Sequence, residues 1–293
     1  MKSPYISNIL RFSSHDGEGL RTVVFVSGCF LDCVWCHNPE SRLFNPGIFY
    51  INQSCIACGL CGTVCPKSCH TFEKEHIYNR KNCILCYKCT DVCPSGALTK
   101  TARQYSVEEI ISIVKRDKIY YGKDGGLTLS GGEPLAFPEF TLSLLKAAKK
   151  EGINTCIESS GSAERGVFEQ TAPYLDLLLY DIKDTNFERY KTYTGVYPDI
   201  IIENLRFADA LGIKTILRCI MVKGVNMEDA HYDGIKRLFS SLKNCLGAEL
   251  LPCHAYGESK RAKLGLATAG CDSFIPSPED MEYAKERLKE ILI

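Results

Sequence analysis

The chain has 293 residues, and its 35 Lys+Arg balance its 35 Asp+Glu to give a formal net charge of +0. This balance argues against a broad electrostatic grip on nucleic acid, and the content of 45% hydrophobic and 24% charged residues excludes disorder as the main state. No apolar run reaches the roughly 18 residues of a membrane span, and residues 1–19 lack the apolar stretch of a secretory signal. We therefore expect a cytoplasmic protein with no membrane partner.

Strands and helices alternate along most of the chain. A β-branched run predicts a buried strand at 22–27, and Ser106 with Glu109 three residues later predicts the capped start of a helix at 106–117. Further strands are predicted at 126–130, 153–157, 175–182, 213–221 and 247–252, and further helices at 138–150, 163–172, 199–211, 228–243 and 278–291.

Six apolar strands separated by helices predict an α/β fold with a parallel sheet. Six units are too few for a closed eight-stranded barrel, so we favour a partial, open (β/α)6 barrel over a doubly wound sheet. The barrel would comprise residues 1–50 and 101–293. Residues 51–100 are rich in Cys, Pro and Gly and are predicted to form a small insert.

Polar or ligand-type residues follow nearly every predicted strand. Active-site residues collect at the carboxyl ends of parallel strands, so this pattern predicts one site at that end of the barrel. The strand ends carry Gly28–Cys29, Ser130–Glu133, Glu158–Ser160, Asp181–Lys183, Arg218 and Pro252–His254.

The cysteines are unevenly placed, because twelve of the 17 lie between Cys29 and Cys93. An odd, clustered set indicates metal or iron–sulfur ligation rather than a disulfide framework. Cys29-x3-Cys33-x2-Cys36 directly follows the first strand. Its three thiolates can hold three corners of a [4Fe–4S] cluster and leave one iron open to a substrate. A zinc site that takes a fourth ligand such as His37 fits the spacing equally, but the strand-end position and Trp35 favour the cluster.

The predicted insert contains two copies of a second cysteine pattern. Each copy has the spacing C-x2-C-x2-C-x3-C-P of bacterial ferredoxins, in which the fourth cysteine ligates the cluster of the other copy. A pair of zinc ribbons would explain the CxxC pairs but not the repeated third spacing or the proline. Cys69 fits neither copy and is predicted to be a packing residue. One auxiliary cluster is assigned to Cys55, Cys58, Cys61 and Cys93, and the other to Cys83, Cys86, Cys89 and Cys65.

The loop Cys29-Phe-Leu-Asp-Cys33-Val-Trp-Cys36 resembles the signature of radical S-adenosylmethionine (SAM) enzymes. The flanking segments Asp16–Arg21 and His37–Glu40 resemble, in particular, the activating enzymes of glycyl radical enzymes. The resemblance implies that SAM chelates the open iron and that one electron from the cluster cleaves it to methionine and a 5′-deoxyadenosyl radical. This radical would take a hydrogen atom from a glycine of a partner glycyl radical enzyme, with flavodoxin or ferredoxin as electron donor.

The same resemblance implies roles for residues at the other strand ends. Gly131 and Gly132 resemble the start of the family's GGEP loop, in which glycines allow close approach of the backbone and Glu133 would lie near the methionine amino group of SAM. Ser159 would contact SAM or a monovalent cation, although Glu158 departs from the Asp usual in this loop.

Four further residues are implied to be both catalytic and SAM-binding. Asp181 and Lys183 resemble the family's DxK motif, and their spacing on a strand makes both side chains face the same way. Arg218 and His254 lie at the ends of the last two strands. Trp35 is implied to contact the cofactor.

Two other functions remain open at this point. A radical SAM enzyme that acts on a small molecule would share every motif. An electron carrier built around the insert would not need the GGEP loop, the DxK motif or the strand-end histidine. The sequence contains no residue that selects a particular glycyl radical enzyme.

Overall fold

The computed structural model describes residues 3–293, which contain twelve strands and ten α-helices. The strands are β1 (Tyr5–Ser13), β2 (Arg21–Ser27), β3 (Ile48–Tyr50), β4 (His70–Thr71), β5 (Ile77–Tyr78), β6 (Leu98–Lys100), β7 (Arg103–Gln104), β8 (Gly126–Gly131), β9 (Asn154–Ser159), β10 (Leu177–Ile182), β11 (Thr215–Met221) and β12 (Cys245–Pro252). The helices are α1 (Leu60–Val64), α2 (Lys88–Asp91), α3 (Val107–Asp117), α4 (Pro138–Lys150), α5 (Arg165–Thr171), α6 (Phe187–Thr194), α7 (Asp199–Ala210), α8 (Asp229–Ser240), α9 (Tyr256–Leu264) and α10 (Pro278–Leu288).

Eight strands form the central sheet in the order β12-β11-β10-β9-β8-β2-β1-β7. The strands β2 and β8 to β12 pair with one another in parallel and in their order along the chain. The predicted mostly parallel sheet is therefore confirmed, and the strand order lacks the reversal of a doubly wound sheet. Arg218 of β11 donates to the backbone oxygen of His15, beyond β1, at 3.2 Å, so the sheet curves into an open barrel.

Helices cover the outer face of this sheet and bury its apolar side chains. Leu129 of β8, Leu144 of α4, Leu205 of α7 and Ile235 of α8 are fully buried members of one continuous core. The predicted cap of α3 is present: the Ser106 hydroxyl accepts from the Glu109 backbone, and the Glu109 carboxylate accepts from the Ser106 backbone. No helix within residues 3–293 is both long and apolar enough to cross a membrane.

Outside residues 48–100, two strands and two α-helices add to the predicted order: β1, β7, α6 and α9. β1 lies antiparallel to β2, and its register shifts between Ile6 and Asn8 and again between Leu10 and Ser13. These irregularities break the alternation by which a half-buried strand is normally detected. β7 has only two residues and pairs with the start of β1.

Residues 48–100 form two small antiparallel sheets, β3 with β6 and β4 with β5, around a separate apolar core. β3 begins before the predicted insert boundary at residue 51. The two cysteine copies share their backbone conformation, because positive φ angles recur at equivalent positions. These pairs are Ala57 and Leu85, Gly59 and Tyr87, and Ser68 and Gly96.

Candidate active site

A cavity of about 660 Å³ lies inside the curved sheet, at the carboxyl ends of its parallel strands. Residues from strands far apart in the sheet line it, from Asn8 of β1 to Leu251 of β12. Most of the predicted barrel-site residues also line it: Cys29, Cys33, Trp35, Cys36, Gly131, Gly132, Asp181, Lys183, Arg218 and His254. The fold thus brings together side chains that lie far apart in the sequence.

The cysteine loop begins at Gly28, which has a φ of 126°. A Cβ atom there would lie 2.7 Å from a ring carbon of Phe44, so only glycine fits without displacing the ring. The loop is then fixed to the end of α6, where the Asp32 N–H donates to the Thr194 oxygen at 2.8 Å. Trp35 packs beside Tyr193, with 5.6 Å between ring centroids.

The three thiols of this loop fit a cluster better than a single metal ion. The sulfur atoms of Cys29, Cys33 and Cys36 do not all lie within 4.8 Å of one another. Among residues 3–293, the group of three His, Cys, Asp or Glu ligand atoms that does meet this distance lies elsewhere. A single zinc ion with Zn–S bonds of about 2.3 Å would hold its thiolates about 4 Å apart. Burial raises the pKa of Cys29 and of Cys33 to about 12, so ligation by iron would have to displace their protons.

Two ion pairs cross the cavity wall. The Lys183 ammonium donates to the Asp181 carboxylate at 2.8 Å, and the Arg218 guanidinium donates to the Glu158 carboxylate at 2.9 Å. Burial lowers the pKa of Lys183, but the neighbouring negative groups, foremost the Asp181 carboxylate, together outweigh burial and keep that pKa above its usual value. Both cations therefore remain charged at neutral pH.

Four buried polar atoms in the cavity wall have no hydrogen-bond partner within the described part of the chain. They are Asp181 Oδ1, His254 Nδ1, Trp35 Nε1 and Arg218 Nε, the last of which lies 3.4 Å from the Glu249 carboxylate as an ion pair. Buried polar groups are nearly always paired, so such a set is expected where a polar ligand binds. The donors and acceptors that remain free fit a zwitterionic ligand such as the amino acid part of SAM.

Glu133 and Ser159 lie behind the cavity wall rather than in it. The Glu133 carboxylate is fully buried and accepts from the Ser159 hydroxyl at 2.8 Å and from the Ser160 hydroxyl at 2.7 Å. Burial raises the pKa of Glu133 to about 7 despite these donors. Ser160, a strand-end residue to which the sequence assigned no individual role, faces the cavity instead.

Gly131 and Gly132 allow two strand ends to meet. A Cβ atom on Gly131 would lie 2.5 Å from the Val26 nitrogen, and one on Gly132 would lie 2.2 Å from the Gly28 oxygen. In the structure, these glycines therefore let the end of β8 approach the start of the cysteine loop closely.

Several residues that line the cavity had no individual role assigned from the sequence: His15, Asp16, His37, Glu158, Ser160 and Lys260. Asp16 and His37 belong to the segments that flank the cysteine loop, and His15 directly precedes the first of them, so these segments were the signal that could have identified all three. Lys260 lies on α9, a helix that was not predicted, and its ammonium forms an ion pair with the Glu40 carboxylate at 2.8 Å.

The family model described as the Radical SAM superfamily matches residues 23–233. The chain belongs to the radical SAM superfamily. The trans-4-hydroxy-L-proline dehydratase activating enzyme of Clostridioides difficile is 36% identical over 288 residues, which cover 97% of this chain and 95% of the relative. The choline trimethylamine-lyase activating enzyme of Oleidesulfovibrio alaskensis is 37% identical over 268 residues, which cover 89% of this chain and 86% of the relative. This radical SAM enzyme is thus of the activating type.

The fold is also found in the solved structure of Streptococcus suis SuiB bound to the precursor peptide SuiA. The two structures align with a TM-score of 0.58 and 13% sequence identity, over 97% of this chain and 47% of SuiB. At this identity the likeness concerns the fold alone.

The remaining clustered cysteines of this radical SAM enzyme line two further cavities. The first cavity is bordered by Cys55, Cys58, Cys61 and Cys93, and the second by Cys65, Cys69, Cys83, Cys86 and Cys89. In each cavity, the cysteine that begins its copy of the pattern, Cys55 or Cys83, has a polar side chain beside its sulfur.

The two polar neighbours differ in chemistry. His76 Nδ1 lies 3.3 Å from the Cys55 sulfur, and the Tyr78 hydroxyl donates to the Cys83 sulfur at 3.0 Å. The group of three ligand atoms within 4.8 Å of one another, Cys61, His70 and His76, lies beside the first cavity.

Proposed function

We propose that this enzyme reductively cleaves SAM and removes a hydrogen atom from a glycine of a partner glycyl radical enzyme. The observation that carries the proposal is the identity of 36% with an activating enzyme over 97% of this chain and 95% of that relative. When bound, a [4Fe–4S] cluster and SAM would supply the electron and the 5′-deoxyadenosyl radical that this reaction needs.

The side chains of the cavity would bind and orient SAM. Cys29, Cys33 and Cys36 would hold the cluster, and its fourth iron would stay open. Asp181 Oδ1, which has no hydrogen-bond partner among the described residues, could accept from the SAM ammonium, while the charged Lys183 could donate to its carboxylate. Arg218, His254 and Trp35 complete the wall.

We assign Glu133 a positioning role, because its carboxylate binds Ser159 behind the cavity wall and holds Ser160 at the edge of the cavity. A contact between Glu133 and SAM, and a monovalent cation at Ser159, remain predictions. Both would require these buried groups to exchange their present hydrogen bonds for the new ligand.

Residues 51–100 would form a ferredoxin-like insert with two auxiliary [4Fe–4S] clusters, which makes three clusters in all. The grouping of the cysteines around two cavities supports the crossed ligand sets, in which Cys93 joins the first copy and Cys65 the second. The recurring positive φ angles support two equivalent loops. Flavodoxin or ferredoxin would supply electrons in the cytoplasm.

Electron paramagnetic resonance tests the proposal directly. Reconstituted enzyme would be mixed anaerobically with SAM, a reductant and candidate partners, beginning with trans-4-hydroxy-L-proline dehydratase and choline trimethylamine-lyase. We expect a glycyl radical doublet with one of them, and no doublet with the Cys36→Ala variant. Cleavage of SAM without a doublet in any glycyl radical enzyme would favour the alternative of a small-molecule substrate.

A further inference from the structure

The second cavity of the insert has one more cysteine than the first. Cys69 is 1% exposed and lines this cavity together with Cys65, Cys83, Cys86 and Cys89. At the equivalent place in the other copy, the first cavity is lined by Ala97, which is also 1% exposed. A ferredoxin-type auxiliary cluster takes four protein ligands, so one cavity has a spare thiol and the other does not.

The loops that carry Cys69 and Ala97 have the same conformation. Each begins at the fourth cysteine of its copy, and each has a left-handed residue directly before Cys69 or Ala97: Ser68 has a φ of 48° and Gly96 a φ of 68°. The backbone hydrogen bonds also match, because Ser68 donates to Cys65 at 3.2 Å and Gly96 donates to Cys93 at 3.4 Å.

Cys69 lies directly beside the fourth ligand of the second cavity. Its backbone N–H donates to the Cys65 sulfur at 3.3 Å, and its own thiol contacts the Lys67 oxygen at 3.7 Å. Lys67 lies on the loop itself, so a rotation of the Cys69 side chain would free the thiol at the cost of one weak hydrogen bond.

We propose that Cys69 is an alternative fourth ligand of the auxiliary cluster held by Cys83, Cys86 and Cys89. The inference rests on the proposed cluster assignment. In the exchange, the Fe–S bond to Cys65 breaks, a bond to the Cys69 sulfur forms, and the Cys69 thiol proton passes to the Cys65 sulfur. No electron is gained or lost. The second cluster therefore survives the loss of Cys65, whereas the first does not survive the loss of Cys93.

Iron and sulfide analysis of four reconstituted variants tests this difference, together with the reduced-state spectrum of each. Wild-type enzyme and the Cys69→Ala variant should each hold about twelve iron atoms in three clusters. Cys65→Ala should also hold about twelve. Cys93→Ala, its counterpart in the other copy, and the double variant Cys65→Ala/Cys69→Ala should each hold about eight.

A reciprocal variant transfers the spare thiol to the other cavity. Ala97→Cys in a Cys93→Ala background places a thiol where Cys69 stands in the equivalent loop. We expect it to restore the iron content from about eight to about twelve atoms and to recover the missing cluster signal. This variant also decides the matter if Cys65→Ala does not fold.

Three outcomes would overturn the proposal, and they can be told apart. Folded Cys65→Ala with only two clusters would remove the role of Cys69 alone. Loss of a cluster in Cys69→Ala would mean that Cys69 is the primary ligand and Cys65 is not. Wild-type enzyme with a single cluster would refute the assignment of the whole insert, and the inference with it.

Discussion

Asp181 and Lys183 are adjacent opposite charges in a wall that is otherwise built from strand ends. Each side chain is largely buried, and each has a neighbour of opposite sign within 2.8 Å. A buried ion pair of this kind contributes little to stability, because desolvation offsets most of the attraction. Its position in the cavity, with one carboxylate oxygen unpaired, instead favours a role in binding a charged ligand.

Asp181→Asn and Lys183→Ala should therefore impair SAM cleavage without loss of iron. Each change removes a charge-assisted hydrogen bond worth about 1.5–3 kcal/mol, which corresponds to a reduction of about 10- to 100-fold in the cleavage rate. Anaerobic measurement of 5′-deoxyadenosine formation gives the rate, and iron analysis gives the cluster content. Lys115→Ala, at an exposed pair with Glu151, is the control. Loss of iron in either cavity variant would contradict the assignment.

Glu133 links burial to pH. Its folded-state pKa of about 7 lies above the value of about 4.5 for an exposed glutamate, so the folded state holds its proton more tightly than the unfolded state. The contribution of Glu133 to the free energy of unfolding is fully present at low pH, and it is lost as the pH rises from about 4.5 through about 7. The loss amounts to about 3 kcal/mol.

Glu133→Gln removes this titration, so its unfolding free energy should change less between pH 5 and pH 8 than that of the wild type. Urea unfolding at several pH values, without SAM, measures the difference. The exposed Glu169→Gln should retain the wild-type pH dependence. Parallel curves for the wild type and Glu133→Gln would show that Glu133 is ionised throughout this range.

At the scale of elements, the strands with uniform burial were predictable and those with mixed environments were not. β10 reads Leu177-Leu-Leu-Tyr180 and is buried on both faces, so composition alone identifies it. α9 is different, since it is short, rich in Lys and Arg, and packs through Gly257 rather than through an apolar stripe. The sequence could not predict that Glu133 turns away from the cavity, because that depends on the hydroxyls of a neighbouring strand.

Gly257 fixes the distance between α9 and the cysteine loop. A Cβ atom there would lie 2.4 Å from the Cys36 oxygen, so Gly257→Ala must displace the loop or the helix, at a cost of about 1–3 kcal/mol. We expect SAM cleavage to fall at least tenfold and the SAM-induced change in the cluster spectrum to weaken. Gly166→Ala, in α5 with no atom within 4 Å of its Cβ position, should change neither. Unaltered cleavage in Gly257→Ala would show that the loop tolerates the shift.

In the insert, one polar side chain lies beside a cysteine sulfur in each of the two cavities. The Tyr78 hydroxyl donates to the Cys83 sulfur, and His76 in its Nδ1–H tautomer would donate in the same way to the Cys55 sulfur. A donor stabilises the more negative, reduced cluster and so raises its reduction potential. His76→Phe should therefore make the potential of the Cys55 cluster more negative, and Tyr78→Phe should do so for the Cys83 cluster. Redox titrations followed by paramagnetic resonance measure both, and each variant is the control for the other. A shift of both clusters by one variant would contradict the assignment.

In the whole molecule, the insert and the active site meet through α9. Arg80 of the insert donates to the Lys263 oxygen at the end of α9 at 2.7 Å, and Tyr87 donates to the Pro46 oxygen at 2.7 Å. The start of the same helix abuts Cys36 through Gly257. This arrangement suits an insert that passes electrons towards the cavity, but it would equally suit one that braces the site or docks the partner.

Two cysteine variants separate these roles. Cys36→Ala removes one of three ligands of the SAM-binding cluster, so SAM loses its iron anchor and cleavage should stop with every reductant. Cys58→Ala removes a ligand of the Cys55 cluster only. If the insert passes electrons, this variant should still bind SAM but cleave it slowly with flavodoxin. A strong chemical reductant that reaches the SAM-binding cluster directly should then restore much of the rate. Persistent loss of cleavage, in folded Cys58→Ala that keeps its SAM-binding cluster, would mean that the insert shapes the active site.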